Sequence, residues 1–183
     1  MKKFNLQLFA DDTAAKTAVQ GKQIIYLFRP LKNSAAKDAV AMAFTTENER
    51  TKSVDYESTP TKDGSVQTGG TMEHEVTATA ILAVGDTMAE ELEDALDNHE
   101  VVEIWEANLA APVNEGSDNT KFKGRYMQGY LNEFALATTA EDHAEYSTTF
   151  AINGAGAKGE VTVTAEQQAI ASYAFKDTQA TGA

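Results

Sequence analysis

A hydrophobic alternation with a period of two residues recurs along most of this chain. Apolar or aromatic side chains alternate with polar ones, wholly or in part, within residues 23–29, 75–84, 101–107, 122–134 and 146–152. Such alternation is typical of β-strands with one buried face, because successive side chains point to opposite sides of a sheet. The pattern therefore predicts a mainly β fold.

The alternation also assigns side chains to faces. Val102 and Ile104 are expected on one face of their strand, and Glu103 and Trp105 on the other. In the next strand four aromatic residues stand at even positions and are expected to share one face: Phe122, Tyr126, Tyr130 and Phe134. Aromatic residues at this period are typical of a sheet core, and no basic groove accompanies them to suggest base stacking.

One helix is well specified, over residues 86–98. Thr87 and Glu90 have the spacing of a capping box, which predicts Thr87 as the N-cap. Apolar side chains recur at helical spacing on one stripe, and Asn98 is a plausible end. A helix among many strands predicts an α+β or mainly β protein, a β-sandwich or barrel of antiparallel strands with one flanking α-helix.

The polar stretch 45–72 is too long for an ordinary loop. Its few apolar anchors are Val54, Tyr56 and Val66, and structureless loops of this length are uncommon inside a compact domain. It is therefore interpreted as a long extended hairpin arm. Asp63 and Gly64 form a strong two-residue turn signal and are predicted to lie at its tip.

Charge is distributed unevenly along the chain. Between Lys62 and Lys121 there is no lysine or arginine, yet fourteen of the 28 acidic residues lie there, and the formal net charge is −13. A surface that binds nucleic acid needs cations to replace condensed counterions. Ordinary DNA or RNA binding is therefore unexpected, and the acidity suits either a solvated surface or a charged partner surface.

Signals for catalysis are weak. Residues 154–159 match the glycine pattern of dinucleotide sites, but a strand-like run follows at 160–164 where such a site needs a helix. A glycine-rich hairpin is the better interpretation. His74, His99 and His143 lie far apart, and the chain has no cysteine. We expect no enzyme activity, no cofactor and no metal site.

Length and composition favour one main domain. We expect an N-terminal arm over 1–20, a single β domain over 21–178 and a flexible C-terminus over 179–183. The apolar stretch near the start is short and interrupted by Asn5 and Gln7, so it is interpreted as an unsecreted arm. No run approaches the roughly 18 apolar residues of a membrane span, and no membrane insertion is expected.

The order of these landmarks resembles the major tail tube proteins of long non-contractile-tailed bacteriophages of Gram-positive hosts. The resemblance covers roughly residues 20–178. It rests on the motifs at 44–49, 59–64, 73–76, 86–98, 102–105, 123–130, 146–154 and 173–177. Residues 1–10 instead look like the start common to phage head proteins.

The resemblance implies a structural virion protein of the phage tail, assembled in the host cytoplasm. Such proteins form homohexameric rings that stack into a tube, which surrounds a tape-measure protein and conducts DNA without binding it specifically. A tail terminator and distal tail or baseplate proteins are the other implied partners. The arm would then carry assembly contacts between rings, through Thr61, Lys62, Asp63, Gly64, Ser65, Gly69 and Gly70.

Lys62 is the last cation before the acidic stretch and is a candidate partner for the acidic helix face at 91–97. Two alternatives remain at this point. A phage head or decoration protein would explain residues 1–10, although a capsid chain is usually longer. An acidic immunoglobulin-like β-sandwich binding module would explain the alternation, although it would not need the arm.

Overall fold

The computed structural model describes residues 18–114 and 120–172. The predicted N-terminal arm lies outside the described residues except for 18–20, and so do the motif at 173–177 and the C-terminus at 179–183. The described elements are β1 (Ile24–Pro30), β2 (Thr45–Thr61), β3 (Gly64–Ile81), α1 (Thr87–Asp97), β4 (Val101–Pro112), β5 (Lys121–Ala137), β6 (Glu145–Ile152), β7 (Ala157–Thr162) and α2 (Ala165–Ser172).

The strands form one antiparallel sheet. Its order is β1-β4-β5-β6-β3-β2, and β7 pairs with β5. The prediction of a mainly β protein is confirmed. The second helix, α2, was not expected, although Thr164 and Gln167 form a capping box at its start through reciprocal hydrogen bonds of 3.0 and 3.3 Å.

The sheet curls strongly around its core. The rings of Phe28 on β1 and Phe150 on β6 stack with their centroids 5.3 Å apart. These strands stand three positions apart in the sheet order, which would separate them by about 14 Å if the sheet were flat. Side chains from distant strands therefore meet on the concave face, as in a β-sandwich or barrel.

Two apolar clusters occupy the two faces of the sheet. The inner cluster joins the concave face to α1 and includes Val102, Ile104 and the fully buried Leu92. The outer cluster includes Phe122 and Val161, with Trp105 packed against it. The predicted separation of Val102 and Ile104 from Trp105 is confirmed.

The prediction that four aromatic residues of β5 share one face is wrong. Phe122 belongs to the outer cluster, whereas Phe134 packs against the inner one. The reason is a register shift between Leu131 and Glu133, where β5 carries one residue more than β6. A bulge of this kind reverses the parity of every later residue, so equal spacing along the chain no longer means the same face.

The predicted glycine-rich hairpin between β6 and β7 is also wrong. The two strands do not pair with each other, and both lie antiparallel along the same edge of β5. Gly154 and Gly156 adopt positive φ angles of 67° and 68°, so the chain makes a short loop and then resumes its direction. A Cβ on Gly156 would stand 2.8 Å from Cγ of Met127, so a side chain there requires its neighbours to move. The short loop 153–156 is called the glycine loop below.

Helix α1 is placed nearly as predicted. Its N-cap is Asp86 and not Thr87, because the Asp86 carboxylate accepts a hydrogen bond from the Met88 amide at 2.9 Å. Asn98 is the C-cap, as predicted. The His99 and Glu100 amides then donate to the carbonyls of Leu96 and Ala95, with His99 at a φ of 52°, which is a Schellman ending.

Candidate assembly surfaces

The paired strands β2 and β3 extend well beyond the sheet. β3 pairs with β6 only over residues 75–81, whereas its pairing with β2 continues to the tip. All side chains from 55 to 73 are exposed. This projecting part, residues 53–73, is called the distal hairpin below, and it is about 30 Å long from the length of nine extended residues.

The tip of the distal hairpin is a tight turn. Thr61 and Gly64 are paired, so the two loop residues are Lys62 and Asp63. The predicted turn at Asp63 and Gly64 is therefore displaced by one residue. Gly64 follows the loop with a φ of 139°, a conformation that other residues rarely adopt. Ser65 pairs with Pro60 next to the turn.

Gly69 and Gly70 lie at a bulge in the distal hairpin. The register shifts between Val54 and Tyr56, where β3 has one residue more than β2. The Tyr56 ring lies over Gly69, and a Cβ there would stand 3.2 Å from Cε1 of the ring. A Cβ on Gly70 would stand 3.1 Å from the Asp55 carbonyl oxygen. The two glycines therefore permit close contacts that shape the hairpin.

The distal hairpin carries an apolar strip that continues the concave face of the sheet. The strand register places Val54, Tyr56 and Met72 on the same side as Val76 of the inner cluster. Tyr56 is 65 % exposed and Met72 37 %. Large apolar side chains that project into water beyond the core often mark a contact surface.

A polar clasp holds β2 against the opposite side of the curled sheet. The Glu106 carboxylate on β4 accepts hydrogen bonds from Arg50 Nε at 2.5 Å and from the Tyr26 hydroxyl at 2.8 Å. Burial raises the pKa of the Glu106 carboxyl, but the bonds from Arg50 and Tyr26 outweigh burial and hold that pKa below its ordinary value. The three residues are called the clasp below.

The clasp keeps Tyr26 protonated and Glu106 charged. Burial raises the pKa of the Tyr26 hydroxyl, and the neighbouring Glu106 carboxylate raises it further. Arg50 stays cationic, because its hydrogen bond to Glu106 raises the pKa of the guanidinium. The clasp is thus a charge-assisted link between strands that lie far apart in the sheet order.

Four cations and one histidine gather around the glycine loop. They are Arg50, Lys52, His74, Arg125 and Lys158, called the cationic cluster below. His74 Nδ1 donates to the Gly154 carbonyl at 3.0 Å, and both Lys52 and Arg125 donate to the Ala155 carbonyl. Desolvation lowers the pKa of Lys52, and the nearby guanidiniums of Arg125 and Arg50 lower it further.

An acidic stripe runs along the exposed side of α1. Glu90, Glu93, Asp94 and Asp97 are exposed and recur three or four residues apart, which places them on one side of the helix. Glu91 differs from them because it pairs with Lys37 within the chain. Of the helix face at 91–97 that was predicted as a partner for Lys62, Glu91 is therefore already paired, and the exposed acids of the stripe remain.

Within the described ranges, no group of three or more potential ligands is arranged to hold a metal ion. Helices long and apolar enough to cross a membrane are likewise absent from the described part of the chain.

Sequence reasoning identified the hairpin and its tip but missed the clasp and the cationic cluster. The members of these sites come from six different strands, and the curl of the sheet brings them together. One available signal was Glu106, a charged residue at a position that alternation assigns to the apolar face of Val102 and Ile104.

The chain matches known proteins over most of its length. Residues 18–158 match the sequence model of a family described as phage tail tube protein. A protein named for the tail of Staphylococcus phage phiMR25 is 37 % identical over 158 residues, which is 84 % of this chain and 80 % of that protein.

Two solved structures share the fold. The SPP1 tail tube protein superposes with a TM-score of 0.65 at 17 % identity and covers 91 % of this chain and 95 % of its own. A protein from the tail of an empty gene transfer agent particle, determined with C6 symmetry, gives a TM-score of 0.58 at 14 % identity, over 76 % and 98 % of the two chains.

The clasp leads to a prediction about stability and pH. Replacing the Glu106 carboxylate by an amide (Glu106→Gln) removes its charge-assisted bonds, and we expect it to lower the free energy of unfolding by about 2 kcal/mol at pH 7. Because the folded pKa of Glu106 is depressed, its contribution is present above the unfolded pKa and is lost as pH falls through the folded value. The variant should therefore lose less stability than the parent between pH 5 and pH 3, roughly the range in which a depressed carboxyl titrates.

Chemical denaturation at several pH values measures this difference. Glu160→Gln is the matched control, since Glu160 pairs with Lys121 at 3.8 Å and both side chains are 53 % exposed. Exposed pairs of this kind contribute roughly 0 to 1 kcal/mol. Equal effects of the two substitutions would show that the clasp does not hold the sheet.

Proposed function

This chain belongs to the phage tail tube protein family, and we propose that it forms homohexameric rings that stack into the tube through which phage DNA leaves the virion. It is a structural protein of the virion tail, and its family and fold are those of structural tail tube proteins. The family match favours this role over the two alternatives, a head or decoration protein and an immunoglobulin-like binding module.

The observation that carries the proposal, beside the family match, is the exposed distal hairpin. An isolated two-stranded hairpin is marginally stable in water, because it has no second layer to cover its apolar side chains. Tyr56 and Met72 stay exposed in the single chain. A neighbouring copy that covers them supplies the missing burial, which is what a stacked tube offers.

The tip residues are proposed as contacts between rings. Thr61, Lys62, Asp63, Gly64 and Ser65 lie at the far end of the distal hairpin, remote from both apolar clusters. Gly69 and Gly70 would set the direction of the tip, because they permit the close contacts at the bulge. Head-to-tail contacts between identical subunits are heterologous, and they close into rings or extend into tubes according to their geometry.

The remaining partners are also part of the proposal. A tape-measure protein would occupy the channel, while a tail terminator and distal tail or baseplate proteins would close the two ends. Passing DNA would meet an acidic protein of net charge −13, which repels phosphate and limits trapping. Assembly would take place in the host cytoplasm, with a domain over 21–178 as the building unit.

Electron microscopy of the purified chain at increasing concentration tests the proposal. We expect rings with six-fold symmetry and tubes with a central channel, because the exposed apolar strip gains burial on stacking. Sedimentation of the same samples would report the tubes as a concentration-dependent heavy species. A chain that stays monomeric at all concentrations and salts would contradict the proposal, as would closed shells.

Shortening the distal hairpin separates its role in assembly from any role in folding. Residues 60–65 are replaced by an Asn-Gly turn between Thr59 and Val66, which are already paired. We expect the free energy of unfolding to change by less than about 0.5 kcal/mol, because only exposed residues are removed. Tube length, measured by electron microscopy, is expected to fall sharply.

The matched control is a deletion of similar size in the exposed connection 138–143 between β5 and β6. This control should leave both tube length and melting unchanged. Long tubes from a shortened hairpin with native melting would refute the assembly role of the tip. An unfolded variant would show instead that the hairpin belongs to the folding core.

A further inference from the structure

The cationic cluster is unusual in a protein of this composition. The full chain has 15 lysines and arginines against 28 acidic residues, yet Arg50, Lys52, Arg125 and Lys158 gather around one loop. The Glu106 carboxylate attracts Lys52 electrostatically, but it already accepts hydrogen bonds from Arg50 and Tyr26. The cluster therefore keeps an excess of positive charge.

The hydrogen bonds of the cluster leave its donors only partly used. Lys52 and Arg125 both donate to the same Ala155 carbonyl, which is a neutral acceptor. Arg125 Nε is buried and has no hydrogen-bond partner in the described part of the chain. Within that same part, no ion pair involves Lys52, Arg125 or Lys158. Because Lys52 and Arg125 share one carbonyl and repel each other, the binding of an anion between them is favourable.

The acidic stripe of α1 has the complementary property. Glu90, Glu93, Asp94 and Asp97 are exposed, and no ion pair among the described residues involves any of them. The neighbouring Glu91 and Glu100, by contrast, pair with lysines of the same chain. The stripe is thus the part of the helix surface that remains available to an outside cation.

The start of α1 and the cationic cluster lie at different levels along β3. The helix begins at Asp86, beside Tyr146, and Tyr146 pairs with Ala80 of β3. The cluster surrounds His74 of the same strand and the glycine loop. Six residues of extended strand span about 20 Å. Within the described part of one molecule no ion pair joins the cluster to the stripe, so both surfaces remain available to a second copy.

From this geometry we propose that the cationic cluster of one subunit binds the acidic stripe of α1 on a second copy of the chain. The contact is heterologous, as repeated head-to-tail assembly requires. The cationic cluster thereby takes the place of Lys62, at the hairpin tip, as the partner of the stripe. The inference rests on the proposed tube function, and it names the charged surfaces that bring neighbouring subunits together and fix their register.

DNA, a polyanion, is the alternative ligand for the cationic cluster. The acidic character of the whole chain disfavours this occupant, because the −13 net charge repels a phosphate backbone before it reaches the cluster. A helix stripe of the same protein, in contrast, is present at equal concentration with the cluster in every assembly. The second copy is therefore the occupant that the charges favour.

Charge reversal on both surfaces tests the contact. One variant carries Lys52→Glu with Lys158→Glu, the second carries Glu93→Lys with Asp94→Lys, and the third combines all four changes. We expect each of the first two to lower the tube mass pelleted at low salt at least tenfold, because like charges then face each other. The combined variant should recover to within about threefold of the parent, since reversal on both sides restores attraction.

The matched controls reverse exposed charges elsewhere. Lys22→Glu tests an exposed cation that is not part of the cluster, and Glu141→Lys with Asp142→Lys tests an exposed acidic pair outside the helix. Both should assemble like the parent. Thermal melting of every variant is measured as well, because a variant that loses its tubes through unfolding will show a lowered melting temperature. The recovery of tubes in the combined variant is the decisive result.

Two failures are distinguishable. A parent chain that forms no tubes contradicts the proposed function itself. A parent that forms tubes while the cluster-reversed variant forms them equally well contradicts the charged contact alone, including when that variant has lost affinity for double-stranded DNA. A combined variant that assembles no better than the two partial ones, although it melts like the parent, also overturns the contact.

Discussion

One charged side chain, Glu106, links the two ends of the curled sheet. Its carboxylate ties Arg50 of β2 to Tyr26 of β1 across the concave face, although these strands stand at opposite ends of the sheet order. The inner cluster, which includes side chains of α1, fills the concave face. The distal hairpin projects beyond that face, and the cationic cluster lies around the glycine loop. Among the described strands β2 pairs only with β3, so it is an edge strand whose position the clasp fixes through side chains. Edge strands present unpaired backbone groups to which another chain can add.

A subunit of the proposed tube needs a folded core and also surfaces that bind neighbouring copies. The distal hairpin offers such a surface, because its apolar side chains are exposed in the single chain. In the proposed contact, the cationic cluster and the acidic stripe add charge complementarity, in a protein that is strongly acidic as a whole. In such an assembly, apolar burial would supply most of the association free energy, and charge complementarity would set the orientation of neighbouring copies.

Local signals in the sequence predicted local structure well. The helix at 86–98, the faces of Val102 and Trp105, and the paired arm with its tip near Asp63 all follow from patterns within a few residues. Features that depend on pairing with a distant strand did not follow. The bulge near Leu131 and the collinear course of β6 and β7 are set by register along β5, and the clasp is set by curl.

Hydrogen exchange tests most directly the claim that a neighbouring copy completes the distal hairpin. Amides of residues 55–72 are compared between the dissolved subunit and the assembled tube, with Val76, Ala78 and Ala80 of the buried part of β3 as internal references. We expect exchange at least a hundredfold slower in the hairpin of the tube, and unchanged protection at the references. Equal, strong protection of the hairpin in both forms would contradict it, because the hairpin would then be complete within one chain.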